Sequence, residues 1–293
     1  MKRDFIVLLT TSNGQYKITR RCLESFKSSH NNFDVYILNY GLSDSKMKKL
    51  GKQVAYYKEF AEGTPITIEM NHGINLAKDK TNLVVNANND IVVHSKTCDY
   101  MVDIFRTTDI KSLSGHITTS LDELNYYEIK DNGDLFYKGN FVSPNKFKCW
   151  LEILQEDFGF DLYSFNWWHT DYFKRVGLID SKTFNKGIYL WDTDYQYRGA
   201  LKGIDTYVAS SAIYFHECGY TYKESKNKSF RDKLYEQMKN AYYRKWGGEV
   251  KNSKYVGSQH NEDFVFPYMN KMSPEELLKE TIKRNKINKK YSP

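Results

Sequence analysis

The chain has 293 residues, 40% hydrophobic and 16% aromatic, a composition typical of a folded globular protein and not of a disordered one. No apolar run approaches the roughly 18 residues of a membrane-spanning helix, and the first apolar run is too short for a signal peptide core, so we expect a cytoplasmic protein. The net charge is +7, and the basic excess lies after residue 220, where 17 lysine and arginine residues face 9 acidic ones.

The first hundred residues alternate between short apolar runs and helical patterns, and each run is followed by a polar turn. Four strands are predicted: Phe5–Thr10, Val35–Leu38, Ile66–Met70 and Leu83–Asn86. Alternation of this kind is typical of βαβ units and a parallel sheet. Ligands of such sheets bind beyond the carboxyl ends of the strands. The turns that contain Asn13, Asn39, Asn71 and Asn88 are therefore expected to meet on one edge of an α/β sheet.

The later elements are less regular. A helix is predicted over Lys96–Arg106, a hairpin turn at Asp131-Asn132-Gly133, a helix after a loop within Tyr189–Leu201 and a strand at Thr206–Phe215. From Ser229 the chain is basic and helical, which indicates either a solvated surface or a contact with an anionic partner. We divide the chain into residues 1–110, residues 111–220 and a basic C-terminal extension (221–293).

The fourth predicted strand ends in the sequence Asn86-Ala87-Asn88-Asn89-Asp90 before a second apolar run. An Asn-rich turn after a strand is often purely structural. It also offers one carboxylate to a divalent ion and amides to phosphate groups, and Mg²⁺ and Mn²⁺ prefer such oxygen ligands. Asp90 is therefore a candidate metal ligand, and Asn88 and Asn89 are candidate phosphate contacts.

A second set of polar residues follows in the later half. Asp192 and Asp194 stand two residues apart at the start of a predicted helix, where both could be caps or one could face a cleft. His216 follows the last predicted strand, where a histidine is either a hydrogen-bonded structural residue or a ligand. Trp167 and Trp168 precede a helical patch and could either pack in the core or stack on an acceptor.

In their order along the chain, these motifs resemble the nucleotide-sugar glycosyltransferases of the GT-A fold, specifically the inverting family 2. Asn39-Tyr40-Gly41-Leu42-Ser43-Asp44 is similar to the family's Asp-Asn-Gly-Ser-x-Asp motif, and Asn71-His72-Gly73 to its Asn-x-Gly step. Asn88-Asn89-Asp90 resembles the metal motif, and Trp191-Asp192-Thr193-Asp194 resembles Glu-Asp-x-Asp. Two departures stand out: Asn39 replaces the usual Asp, and Trp191 replaces the usual Glu.

The resemblance implies an α/β GT-A fold and a hexosyl- or pentosyltransferase that uses Mn²⁺ or Mg²⁺. It makes residues 1–110 the donor-binding half and residues 111–220 the acceptor-binding and catalytic half. Asp192 would be the general base, and Asp90 and His216 would hold the metal. The residues expected to contact the donor are Thr10, Asn13, Asn39, Tyr40, Asp44, Asn71, Gly73, Asn88 and Asn89. The residues expected to contact the acceptor are Trp167, Trp168, Trp191 and Asp194.

Three readings of the function are left open, of which the first two differ in the acceptor. The first is a surface glycan or its lipid-linked precursor, with the basic tail resting on the inner face of the membrane. The second is a modified base in DNA, glycosylated as by phage transferases, with the tail on the phosphates. The third is a non-catalytic GT-A-like binding protein.

Overall fold

The computed structural model describes residues 2–12, 15–41, 45–118, 120–143, 147–149, 164–185, 190–200, 202–217 and 228–246. Within these residues the main sheet has nine strands, and six of them run in one direction. The strands are β1 Phe5–Ser12, β2 Phe33–Tyr40, β3 Tyr56–Phe60, β4 Leu83–Asn88, β5 Ile91–Val93, β6 Ser112–Thr118, β10 Phe147–Cys149, β11 Phe165–His169 and β12 Thr206–His216.

The strand order across the sheet is β3-β2-β1-β4-β11-β6-β12-β10, and β5 pairs with β12. The four strands β3, β2, β1 and β4 are parallel neighbours, and β6 and β12 run in the same direction. β11 lies between β4 and β6 and is antiparallel to both. The expected α/β fold with a mostly parallel sheet flanked by helices is confirmed.

Helices cover both faces of this sheet. The described helices are α1 Tyr16–Ser29, α2 Ser45–Gly51, α3 Ile66–Ala77, α4 Thr97–Thr107, α5 Leu121–Leu124, α6 Thr170–Val176, α7 Trp191–Ala200 and α8 Lys228–Trp246. One hydrophobic core joins α1, α2 and α4 to the sheet face that carries Val7 and Val85. The other joins α3, α6, α7 and α8 to the face that carries Leu8 and Val84. Because strand side chains alternate between faces, neighbouring residues of β1 and β4 serve different cores.

The prediction of a strand at Ile66–Met70 is wrong, because these residues form the first turns of α3. The alternation of apolar and polar residues there resembles a strand, but Met70, Ile74 and Ala77 continue it at helical spacing and are all buried. Pro65, at the N-cap, has an extended backbone, which suits the residue before a helix. The third strand of the sheet is instead β3.

A second, three-stranded antiparallel sheet follows β6 and consists of β7 Tyr127–Ile129, β8 Leu135–Tyr137 and β9 Asn140–Ser143. The predicted turn at Asp131-Asn132-Gly133 connects β7 to β8, and Gly133 has a φ of 84°, which glycine adopts without strain. None of the described helices combines the length and apolar character that crossing a bilayer requires.

Candidate functional site

Polar side chains meet where β1, β2 and β4 end. In the register of the sheet, Thr10 of β1 lies between Leu38 of β2 and Asn88 of β4, and Thr11 lies beside Asn39. The carboxyl ends of parallel strands share one edge, which we call the carboxyl edge. Thr10, Asn39, Tyr40 and Asn88 are brought together there, whereas Asn13 and Asp44 lie outside the described residues.

The carboxyl edge also joins Asp90 to His216, which are 126 residues apart. β5 pairs with the end of β12 so that His216 lies opposite Ile91, directly after Asp90. His216 Nε2 lies 3.0 Å from Asp90 Oδ1 and 3.5 Å from Asn88 Nδ2. The Glu217 backbone N–H donates to the Asp90 carbonyl at 3.1 Å and fixes this turn against the strand.

The side chains of Asp90 and His216 would supply two of the ligands of a divalent ion. A carboxylate oxygen and an imidazole nitrogen are both ligands for Mn²⁺. Their separation of 3.0 Å is that of two neighbouring ligands of an octahedral ion whose bonds are about 2.1 Å long. No cluster of three or more histidine, cysteine, aspartate or glutamate side chains occurs in the described part of the chain. Such a site leaves several positions for oxygen atoms of a bound substrate.

Asn89 faces away from this pair, and its side-chain amide is bound within the protein. Its Nδ2 lies 3.0 Å from Thr11 Oγ1, 2.7 Å from Gln15 Oε1 and 3.0 Å from Thr19 Oγ1. All of these side chains are buried between the sheet and α1. The amide of Asn89 therefore fastens the turn before β5 to the end of β1 and to α1. Gln15, which sequence reasoning missed, connects this network to the backbone N–H of Ser12.

Asn71 and Gly73 also have structural positions, because α3 replaces the expected strand. Asn71 Nδ2 donates to the Ile179 carbonyl, and Asn71 Oδ1 accepts from the Ile179 N–H, both at 2.9 Å. These two hydrogen bonds fasten α3 to the segment that precedes α7. A Cβ at Gly73 would lie 3.0 Å from Leu8 and Leu38 side-chain carbons, so glycine permits the close approach of α3 to the sheet. Their assignment as donor contacts stays a prediction.

Asn39 and Tyr40 end β2 on opposite faces. Asn39 is fully buried, and its Nδ2 donates to the Gly41 carbonyl at 3.0 Å, so it shapes the turn after the strand. Tyr40 is 36% exposed, and its hydroxyl accepts a hydrogen bond from the Gly63 N–H at 2.7 Å. An aromatic ring that is held at one end and exposed at the carboxyl edge offers a stacking surface for a planar group.

Asp192 lies in the first turn of α7, and its Oδ1 accepts from the Thr193 N–H at 2.8 Å. The side chain of Gln196, one turn later, contacts Ser112 and Thr206, the first residues of β6 and β12. Asp192 precedes Gln196 by four residues, which is about 6 Å along the helix axis. Asp192 is 8% exposed, so this carboxylate lies at the rim of the core.

Asp194 is fully buried, and its assignment as an acceptor contact stays a prediction. Its Oδ1 accepts from Trp246 Nε1 at 2.9 Å and lies 2.7 Å from Lys245 Nζ, which also reaches Asp180 Oδ2 at 2.7 Å. Burial raises the pKa of Asp194, while the Lys245 ammonium acts in the opposite direction. We call Asp180, Asp194, Lys245 and Trp246 the α8 clamp, because they fasten α8 to α7.

The three tryptophans expected near the acceptor belong to the core. Trp167 packs against Phe5 and Phe165 on one face of the sheet, and Trp168 packs against Tyr172 and Tyr195 on the other. Trp191 is buried within the same core as Trp168. All three rings are buried, so none is exposed for stacking on an acceptor. Buried aromatic rings of this size contribute strongly to the stability of the core.

Two features near the site had no clear signal in the sequence. Arg21 of α1 forms an ion pair with Glu217, next to His216, and this pair connects α1 to the end of β12. Lys245 lies in the basic helical segment, and its ammonium group pairs with two aspartates of the α8 clamp. In both cases the partners lie far apart along the chain, so residue spacing could not reveal them.

No known family profile matches the chain, and no curated protein matches it. Solved structures match in fold. S. aureus TarS matches 90% of the chain with a TM-score of 0.55 at 13% identity, and the chain spans 42% of that protein. TarS 1–349 in complex with UDP matches 90% of the chain and 69% of its own length, with a TM-score of 0.50 at 10% identity.

A third match is the mannosyltransferase PcManGT from Pyrobaculum calidifontis, solved in complex with GDP-Man and Mn²⁺. It covers 95% of the chain and 75% of its own length, with a TM-score of 0.53 at 9% identity. At these identities the likeness establishes the fold, a large mostly parallel sheet flanked by helices.

Proposed function

We propose that the chain is a glycosyltransferase that moves a sugar from a nucleoside-diphosphate sugar to an acceptor hydroxyl by metal-dependent, inverting displacement. The observation that carries the proposal is the pairing of Asp90 with His216 at the carboxyl edge, with Asp192 on the helix that covers the same sheet. Neighbours with this fold bind UDP in one case and GDP-Man with Mn²⁺ in another, which supports a nucleotide-sugar donor.

In this proposal the donor lies along the carboxyl edge. The exposed ring of Tyr40 stacks on the nucleobase, and Thr10 and Asn88 lie beside the diphosphate. Asp90 and His216 would hold a divalent ion, whose positive charge would stabilise the departing nucleoside diphosphate. The incomplete ligand set predicts that the ion binds weakly alone and well together with the diphosphate.

Asp192 acts as the general base. As the acceptor oxygen forms its bond to the anomeric carbon, the bond from that carbon to the diphosphate oxygen breaks, and the hydroxyl proton passes to the Asp192 carboxylate. Attack opposite the leaving group inverts the anomeric configuration. The hydrogen bond from the Thr193 N–H to Asp192 Oδ1 holds the carboxylate in place at the start of α7.

The proposal is tested by incubating the purified chain with UDP- and GDP-sugars, with Mn²⁺ or EDTA, and measuring the release of nucleoside diphosphate. Release in Mn²⁺ that EDTA abolishes and that Asp90→Ala reduces is the expected result. Asp79→Ala is the matched control, because Asp79 is exposed in the segment that connects α3 to β4. Nucleotide binding without any release, even with acceptors present, would identify a non-catalytic binding protein instead.

The acceptor class follows from a second screen with the donor that the first one identifies. We propose a surface glycan or its lipid-linked precursor, and glycosylation of DNA is the alternative outcome. The stereochemistry of the product, read from the anomeric coupling in its NMR spectrum, tests inversion. The five basic residues Lys283, Arg284, Lys286, Lys289 and Lys290, which would contact a polyanionic acceptor, lie outside the described residues.

A further inference from the structure

Glu69 is a buried carboxyl group with no role in the site as described so far. It lies in the first turn of α3 and is 2% exposed, and its Oε1 has no hydrogen-bond partner among the described residues. Burial raises the pKa of Glu69 to about 8. An unpartnered buried carboxyl group destabilises the folded state, and such groups are concentrated at functional sites.

The packing of α3 places Glu69 at the carboxyl edge. Glu69 and Gly73 are four residues apart and share one face of the helix, and Gly73 lies against Leu8 and Leu38. α3 connects β3 to β4, which are both parallel to β1, so it runs from the carboxyl edge back along the sheet. The four residues from Gly73 back to Glu69 span about 6 Å along the helix axis, and the two residues from Leu8 to Thr10 span about 6.6 Å along the strand.

Glu69 is therefore at the level of Thr10, two residues beyond Leu8 on β1. Side chains of a helix lean towards its N-terminus, which directs the Glu69 carboxyl group towards the strand ends. Thr10, Tyr40 and Asn88 lie on the same face of the sheet, because they alternate in register with Leu8, Leu38 and Asn86. Asn39 points to the other face and is bound to Gly41.

We infer that Glu69 binds the ribose of the donor nucleotide through hydrogen bonds between its carboxyl group and the ribose hydroxyl groups; this inference rests on the proposed function. Two neighbouring hydroxyl groups match the two oxygens of one carboxylate, which is a common way for proteins to hold a ribose. Their hydrogen bonds supply the partners that the protein itself does not provide to Glu69. Tyr40, on the adjacent strand, is then within reach of the base.

The test measures binding of UDP and GDP in Mn²⁺, and of the 2′,3′-dideoxy form of whichever binds more tightly. Wild-type protein is compared with Glu69→Gln and with Glu62→Gln, a matched control at an exposed residue of the loop before α3. We expect Glu69→Gln to weaken binding of the ribonucleotide about tenfold, and Glu62→Gln to leave it unchanged. Neither variant should alter binding of the dideoxy nucleotide.

The melting temperature provides a second measurement. Because Glu69 has no protein partner for Oε1, we expect Glu69→Gln to be at least as stable as the wild type. Equal loss of affinity for the ribonucleotide and the dideoxy nucleotide would overturn the inference, as would unchanged affinity for the ribonucleotide. Wild-type protein that binds both nucleotides equally well would also overturn it, without any variant. If the wild type binds neither UDP nor GDP, the proposed function itself fails.

Discussion

Asp90 and Asp194 are both buried aspartates near the candidate site, but their surroundings differ. Asp194 is fully enclosed by the α8 clamp, where Lys245 and Trp246 donate to it and Arg198 lies 3.9 Å away. Asp90 is 7% exposed and contacts the imidazole of His216, and among the described residues no lysine or arginine forms an ion pair with it.

The difference separates a structural carboxylate from one available to a ligand. A buried charge is tolerated better when an opposite charge neutralises it, as the Lys245 ammonium does for Asp194 in the α8 clamp. Asp90 lacks such a cation, so a divalent ion with a diphosphate would supply the missing positive charge. The comparison predicts that replacing Asp90 affects ligand binding, whereas replacing a residue of the α8 clamp affects the attachment of α8 to α7.

The largest expected effect is that of Asp192→Asn on sugar transfer. The amide keeps the shape of the side chain but cannot take a proton, so we expect transfer to fall about 10²–10⁴-fold while metal-dependent nucleotide binding remains. Initial rates and nucleotide affinity are the measurements. If Asp192 were only a helix cap, asparagine would replace it well, and a wild-type rate in this variant would exclude the general-base role.

The substitution Lys245→Met tests the structural role of the α8 clamp. It leaves Asp180 and Asp194 without their shared ammonium group, and breaking a buried ion pair typically costs about 3–5 kcal/mol. We expect a large loss in the free energy of unfolding, measured by urea titration, with nucleotide affinity unchanged at temperatures where the variant is folded. Lys233→Met, at an exposed residue of the same helix, is the control. Equal stability of both variants would show that the α8 clamp contributes little.

Asp90→Ala should show the reverse pattern of Lys245→Met. We expect nucleotide affinity in Mn²⁺ to fall about 100-fold and transfer to fall with it, because the diphosphate loses its metal, while the free energy of unfolding changes little. Calorimetry with and without EDTA measures the affinity. Tight Mn²⁺ binding by the nucleotide-free wild type, or nucleotide affinity that EDTA does not change, would contradict the assignment of Asp90.

The smallest expected effect is the acid sensitivity of the α8 clamp. Burial acts to raise the pKa of Asp180, but hydrogen bonds from Lys245 and from the Thr183 N–H outweigh it and hold that pKa well below its ordinary value. A lowered pKa contributes stability above about pH 3.9, and this contribution is lost as the pH falls further. Urea unfolding between pH 6 and pH 3 should therefore show a steeper decline for the wild type than for Asp180→Asn. Parallel curves would contradict this.

Much of the fold could be predicted from local patterns. Apolar runs with helical segments between them identified β1, β2 and β4 and the parallel arrangement, because strand and helix periodicities differ within a few residues. The same local information failed at Ile66–Met70, where five residues fit both periods and only the burial of Ile74 and Ala77 favours the helix. The division of the chain by role at residue 110 stays a prediction, since one sheet includes strands from both sides of it.

The sequence by itself determined which polar turns follow which strands, and so it indicated that Asn88–Asp90 and Asp192 deserve a functional test. Only the tertiary structure decided which of the polar residues are enclosed by protein partners. Asn89 is bound by Gln15 and Thr19, and Asp194 by Lys245 and Trp246. The physical reason is that backbone periodicity is local, whereas a side chain's hydrogen bonds depend on residues that the fold brings from 50 or more positions away, as it does for both of these.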